Sequence, residues 1–363
     1  MNKSENNQDQ SHLFSGNIFI FQAFDIGEDI NLEKVRQSGT VLIRPLTLSK
    51  YFKNYHTPLP IDLPHPHESS KFISSNLHSF GVISLAYKVP FHDTLENLRK
   101  KLVSIDSEFQ EQGVVDASSI FKMIKKYVKH ERFFHLRTSY VVIQVDPRPD
   151  KISVVGFKDR YGSVIASLLR FETESLSEYQ KGEILDSAMG YYREDLFIID
   201  TQAAFVYDDE YEDILDLFEF ANIQQLELQY FDRMLDQQLN VVYQREVRTL
   251  PLKAYIPLIG SLPRDLIGSL GILKVEISVI IERLESSIKI AGEEFISELY
   301  AVLVDKLDLK NWKESINTKL EIIRDMNTFH QNKVDSIRED FLSILIIVLI
   351  FIELVVGILS YLK

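Results

Sequence analysis

The sequence predicts an α+β chain: an N-terminal mixed α/β domain, then long antiparallel helices, then a single C-terminal transmembrane helix. Three observations carry this reading. Short β-prone runs concentrate before Asp208, apolar residues recur at three- and four-residue steps after it, and Phe341 to Leu362 reads FLSILIIVLIFIELVVGILSYL. The boundaries that follow are a disordered polar tail over 1–15, an α/β domain over 16–205, a helical hairpin over 206–310, a coiled-coil-like helix over 311–340 and an anchor over 341–362.

Taken in order, the tail MNKSENNQDQSHLFSGN is polar and has neither an apolar signal-peptide core nor the Arg-rich look of a transit peptide. Ile18 to Phe21 and Val41 to Ile43 read as strands, with a short helix over Asn31 to Gln37 between them. Thr57 to His67 carries four prolines, which remove backbone donors and impose a loop or an extended segment. Phe80 to Ala86 reads as a strand and Thr94 to Gln110 as a helix. Asp116 is placed to cap a further helix from Ala117 to Lys129. Tyr140 to Val145 and Ile152 to Val155 flank Asp146-Pro147-Arg148-Pro149-Asp150, the pattern of a hairpin. Tyr161 to Gly190 turns helical, and Leu196 to Ile199 closes the sheet.

Beyond Asp208, one helical face carries Leu217, Ala221, Leu228, Phe231, Leu235, Leu239 and Val242, and a second runs from Leu270 to Val302. The stretch from Pro251 to Pro263 separates them, which suggests an antiparallel hairpin. A third helix begins near Asn311 with a seam of Ile316, Leu320, Ile323, Val334, Ile337 and Phe341. Asn327 and His330 fall where that seam expects apolar residues. Such polar groups either fix register and subunit number or turn to water while Met326 and Phe329 pack.

At about 1.5 Å of rise per residue, 22 residues make a helix roughly 33 Å long, enough for a hydrocarbon core of about 30 Å. Lys319, Arg324, Lys333 and Arg338 precede this segment and only Lys363 follows it, so the N-terminal body is expected on the cytoplasmic side of an inner or cytoplasmic membrane. Ser343, Glu353, Gly357 and Ser360 share one face of the span with Ile350. Small residues let helices approach closely, and an ionisable group in mid-membrane favours a bundle interior. Self-association through this face is one reading; a protonated Glu353 tolerated in lipid is the other.

A net charge of −13 argues against a general nucleic-acid surface. The absence of cysteine removes disulfides, thiolate metal sites and a cysteine nucleophile. His56, His65, His67 and His78 are close in sequence, but no carboxylate motif completes a set and no metal is assigned. Lys122, Lys125, Lys126, Lys129, Arg132 and Arg137 form a basic stretch with a single acid, Glu131. Read as one amphipathic helix, it would meet anionic lipid, or RNA with Phe133 and Phe134 stacking, or stay solvated with Phe121, Ile124 and Val128 in the core. No phosphate loop, dinucleotide fingerprint, zinc-protease helix or nucleophile elbow is present, so no catalytic residue or cofactor is assigned.

The segment Leu226-Glu227-Leu228-Gln229-Tyr230-Phe231-Asp232-Arg233-Met234-Leu235-Asp236, the acidic run Asp208 to Asp213 before it and the terminal span with Glu353 resemble the "required for meiotic nuclear division" family. That resemblance implies an α/β N-terminal part, long helices, a C-terminal hydrophobic segment and a membrane-associated scaffold. A mitochondrial member of the family supports translation at the inner membrane; the missing transit peptide points instead to a bacterial relative. The expected function is a non-enzymatic, tail-anchored homo-oligomer presenting its α/β domain to a cytoplasmic protein partner. Two alternatives stand beside it. One is ion transport of the CorA type, though Asp325-Met326-Asn327 only echoes that family's Gly-Met-Asn motif; the other is a ligand-sensing membrane regulator.

Overall fold

The computed structural model describes residues 12–46, 57–63, 71–133, 136–148, 152–246, 275, 277–278 and 294–361. These divide into two compact units. The first holds everything described up to Tyr230, together with 294–311; the second holds the chain from Phe231 to 278 and from Trp312 onward.

A mixed seven-stranded sheet forms the centre of the first unit. Its strands are β1 (Phe14–Asp25), β3 (Leu59–Ile61), β4 (Phe72–His78), β5 (Val82–Asp93), β7 (Arg137–Val145), β8 (Leu196–Ile199) and β9 (Ala203–Tyr207), in the spatial order β3-β4-β5-β1-β7-β9-β8. Two-residue strands β2 (Asp29–Ile30) and β6 (Val128–Lys129) pair separately. β1 is hydrogen-bonded on both edges, to β5 and β7, and both of its faces are covered. It therefore reads as a nearly continuous apolar run rather than an alternation. Among the described strands, only β7 and β9 pair in parallel. Pro60 sits in β3 at the sheet margin, where a missing N–H is tolerated. The strand expected over Val41 to Ile43 shrinks to one bridge, Ile43 to Ile61, because Pro60 offers no donor to extend the ladder and Pro45 follows at once.

Helix α1 (Leu32–Ser38) is capped by Asn31, whose side chain accepts from the Lys34 N–H, and it ends on Gly39 at φ 63°. Helix α2 (Leu95–Ile124) starts at Thr94, which caps the Asn97 N–H, and runs unbroken for 30 residues. Asp116 therefore lies inside a helix rather than capping one. Its carboxylate is buried and accepts from the Tyr87 hydroxyl at 2.8 Å, with Gln112 donating to its other oxygen at 3.0 Å. Gly113 makes the continuity sterically feasible, since a Cβ there would lie 1.7 Å from Gln22 Oε1.

The hairpin expected around Asp146–Asp150 is also replaced. Ser153 caps helix α3 (Val154–Leu169), and β7 pairs with β1 and β9 instead. Phe157, Tyr161, Val164, Ile165 and Leu168 recur at helical spacing and bury against the sheet, the Phe157 ring tilted against Phe205 and Tyr207. That burial outweighs the β preference of Ile152 and Val155. Phe171 at φ 57° ends the helical run. Ser177 restarts it as α4 (Glu178–Leu185), so Tyr161 to Gly190 is two helices and a linker.

Helices α1 to α4 cover one sheet face around Ile20, Phe24, Leu85, Tyr87, Ile143 and Phe205. The other face receives α5 (Glu212–Glu246) and α6 (Glu294–Lys306). Phe218 of α5 stacks on Tyr140, with centroids 5.8 Å apart and planes 13° from parallel, while Asn222 Nδ2 reaches the Phe21 carbonyl and Thr138 donates to the Asn222 carbonyl at 3.1 Å. Phe295 of α6 packs on Phe197. The first unit is thus three layers, helix on sheet on helix.

In the second unit, α5 from Phe231 onward meets α7 (Leu309–Tyr361), a single helix of 53 residues. Lys319 bonds Asp232 at 2.6 Å and Asp236 at 2.7 Å, and Ser315 donates to Asp232 at 2.6 Å. The last 22 residues before Tyr361, Glu339–Ser360, form the one helical stretch among the described residues long and apolar enough to cross a membrane. The helical face expected over Leu270 to Val302 lies mostly outside the described residues.

Candidate functional site

The clearest cavity among the described residues opens in the first unit between the β3–β4 margin of the sheet and the opening turns of α5. It holds about 300 Å³. Asp216, Glu219, Phe220 and Ile223 face it from one side of α5, at the three- and four-residue steps that share a helix face. The opposite wall comes from Ser74, Asn76 and His78 of β4 and from Pro58, Pro60 and Ile61. Arg44, Pro45, Leu46, Ile73 and Ser75 complete the lining.

Glu219 is the chemical centre of this site. Ser84 donates to its Oε1 at 2.5 Å and Asn76 Nδ2 donates to the same oxygen at 3.1 Å; Oε2 takes neither bond. His78 Nε2 stands 3.2 Å from Ser84 Oγ. The Ser84 proton already points to Glu219, so Nε2 must be the donor, and the chain His78 to Ser84 to Glu219 runs one way. Burial pushes the Glu219 carboxyl up despite these two bonds, and burial lowers His78 to about 3, which keeps its ring neutral. The relay steers donors onto a carboxylate. It does not place a histidine base on the serine, as nucleophilic hydrolysis would need. At the rim, Arg44 bonds Asp62 at 2.8 Å and the Ile73 carbonyl at 2.7 Å.

A second group of buried charges lies farther along α5. Asp25, at the end of β1, receives Arg132 Nε at 2.8 Å and the Gly27 N–H at 3.2 Å, while Arg132 Nη2 donates to the Gly27 carbonyl at 3.1 Å. The guanidinium lies 3.9 Å over the Tyr230 ring centroid. Glu227, one turn before Tyr230, is buried beside them. A shallower recess at the carboxyl ends of β7 and β9 is lined by Asp146, Pro147, Arg148, Asp209 and Glu210, where Arg148 is paired with Asp209.

The sequence-marked residues are dispersed. Lys122 lies in the last turn of α2, Lys125 and Lys126 lie in a short 3-10 turn (Lys125–Tyr127), Lys129 is in β6, Arg132 in a loop and Arg137 in β7, so the basic stretch is not one helix. Lys125 pairs with Glu131 at 2.9 Å, Lys129 lies 3.8 Å from Glu28, and Lys126 covers the Tyr127 ring. Phe133 is stacked on Phe121 at 4.8 Å, which commits that ring to packing. Phe134, His56, His65 and His67 lie outside the described residues, as do the side chains of Asn327 and His330. Ser343, Glu353, Gly357 and Ser360 all lie on α7; Ser343 donates to the Glu339 carbonyl at 2.9 Å, and a Cβ at Gly357 would meet nothing within 4 Å. Glu219 escaped the reading of the sequence, although its place between Phe218 and Phe220 was a signal: a carboxylate framed by core aromatics must find polar partners inside.

Comparison with known proteins adds kinship. The chain is 22% identical over 313 residues to the uncharacterized protein MJ0711 of Methanocaldococcus jannaschii, covering 79% of this chain and 94% of that protein. No solved structure gives a significant match. A family model described as "Uncharacterized protein MJ0711, N-terminal domain" matches residues 15–213, which takes in the sheet from β1 through β9 and the strand side of the pocket. That match spans more than half of the sequence, and the chain belongs to the MJ0711 N-terminal domain family.

Proposed function

We propose that the protein is a non-enzymatic, tail-anchored membrane scaffold. The end of α7 spans the bilayer, Ser343, Glu353, Gly357 and Ser360 line a face for self-association, and the α/β domain is held in the cytoplasm for a protein partner. One observation supports this reading above the others: Glu339–Ser360 is a predominantly apolar helical stretch of 22 residues, and none of its most apolar window is buried among the described residues. A core helix of the same composition would be covered by its own fold; an uncovered one needs lipid or another copy. The resemblance to the meiotic nuclear division family implies the same placement, at an inner or cytoplasmic membrane.

The test is membrane retention of the full chain. Expressed in bacterial cells, it should sediment with membranes and resist extraction at alkaline pH. Leu349→Arg combined with Phe351→Arg, placed mid-span at about 2.5–3.5 kcal/mol per charge, should release it. Full recovery of the unaltered chain in the soluble fraction would overturn the reading.

A further inference from the structure

The Glu219 carboxylate selects the ligand of the pocket against α5. Asp216 and Glu219 line it from adjacent turns, and at the rim the guanidinium of Arg44 is engaged by Asp62 and the Ile73 carbonyl. The two donors that reach Glu219 from the protein both land on Oε1, so Oε2 takes neither of the bonds that hold the carboxylate in place. The carbon-rich walls are Pro58, Pro60, Ile61, Phe220 and Ile223. We propose that this pocket binds a small aliphatic organic cation, an alkylammonium or short alkyl diammonium, with its charged head on Glu219 and its carbon chain against Ile61, Phe220 and Ile223.

The alternatives fail on the same groups. An anion would approach the Glu219 carboxylate, and the Arg44 guanidinium at the rim is already paired. An apolar guest would seal the Glu219 carboxylate from water and offer it no partner. An ammonium supplies the charge-assisted bond that such a half-buried carboxylate lacks, and its methylene stem suits apolar walls as a lysine stem does. A cavity of about 300 Å³ sits at the low end of small-molecule sites and takes a chain of a few carbons. The inference does not depend on the anchor, since every lining residue belongs to the first unit.

The experiment is calorimetric titration of the full-length protein in detergent with 1,4-diaminobutane, with butyrate and 1-butanol as anionic and neutral counterparts. Saturable binding of the diamine alone is expected. Glu219→Gln keeps the acceptor for Ser84 and Asn76 while removing the charge, and it should weaken binding by about tenfold or more. Ile73→Trp, at an exposed rim position, should weaken binding by occupying the pocket, and it gives an independent check should Glu219→Gln unfold. Absence of saturable diamine binding, equal binding by Glu219→Gln, or preference for butyrate would each overturn the proposal. None of these outcomes alters membrane retention, so the two readings fail separately.

Discussion

Arg132 holds the carboxylate of Asp25 across 107 residues of sequence, through an Nε hydrogen bond of 2.8 Å, and covers it from solvent. The Asp25 side chain is 1% exposed and that of Arg132 21%, so the ion pair is held largely out of water. Removing one member of such a pair leaves an uncompensated charge inside, which costs more than the pair contributes. Arg132→Met should lower stability by about 2–3 kcal/mol, somewhat under the fully buried range because the guanidinium is partly wet. Asp25→Asn added to it should restore part of that loss. Thermal unfolding of the single and double variants checks both; an additive double variant would mean that the two residues do not act as a pair.

Glu227 sits beside this pair and titrates against it. Burial pushes its carboxyl well above the usual range, the Asp25 carboxylate adds to the rise, and Arg132 offsets only part of it. The sign follows from linkage. The folded state keeps its proton to higher pH than the unfolded state, so Glu227 costs nothing below the ordinary glutamate range. Stability then falls as pH climbs from about 4.5 through the raised folded value. Glu227→Gln removes the titration, and its stability should decline less than that of the unaltered protein between about pH 5 and pH 8. Parallel pH profiles for the two proteins would assign the titration elsewhere.

Gly113 gives a test of packing against propensity. Alanine is favoured over glycine within a helix by about 1 kcal/mol, so Gly113→Ala in an open helix would stabilise. Here the new Cβ would lie 1.7 Å from Gln22 Oε1, and Gln22 is held by its bond to the Phe109 carbonyl at 2.7 Å. Gly113→Ala should therefore destabilise by about 1–3 kcal/mol, the usual cost of overpacking. In a Gln22→Ala background the same change should turn neutral or stabilising, which denaturant titration of the three variants would reveal.

These pairings also explain which parts of the fold could be read from the sequence. Ile18 to Phe21, Tyr140 to Val145 and Leu196 to Ile199 are buried strands whose apolar runs carry their own signal, and Asn31 and Thr94 announce their helices by capping. Where a distant contact decides, the local pattern misleads. The stretch between Gln110 and Asp116 reads as a break between two helices, yet the helix passes through because Gln22 and Tyr87 meet that face. Ile152 to Val155 reads as a strand, yet Phe157 and its helical partners outweigh it. The pocket was hidden for the same reason, since Ser84 and Glu219 meet across 135 residues, a separation over which no local pattern relates them.

Glu353 bears on whether α7 acts alone or in a bundle. It lies four residues before Gly357 and ten after Ser343, close to three helical turns, so the polar and small groups share a face. In lipid, a lone carboxyl there would be indifferent to neighbouring copies. In a bundle, it would hydrogen-bond across the helix interface, typically for about 0.6–2 kcal/mol. Glu353→Leu should therefore shift the full-length protein toward smaller species in detergent, by light scattering, while leaving membrane retention intact. Gly357→Leu should do the same by a different route, since it adds bulk where close approach is required and no contact within its own chain opposes the larger side chain. If both variants keep the oligomer distribution of the unaltered chain, this face does not join copies, and the self-association proposed for α7 would have to rest on the stretch around Asn327 and His330.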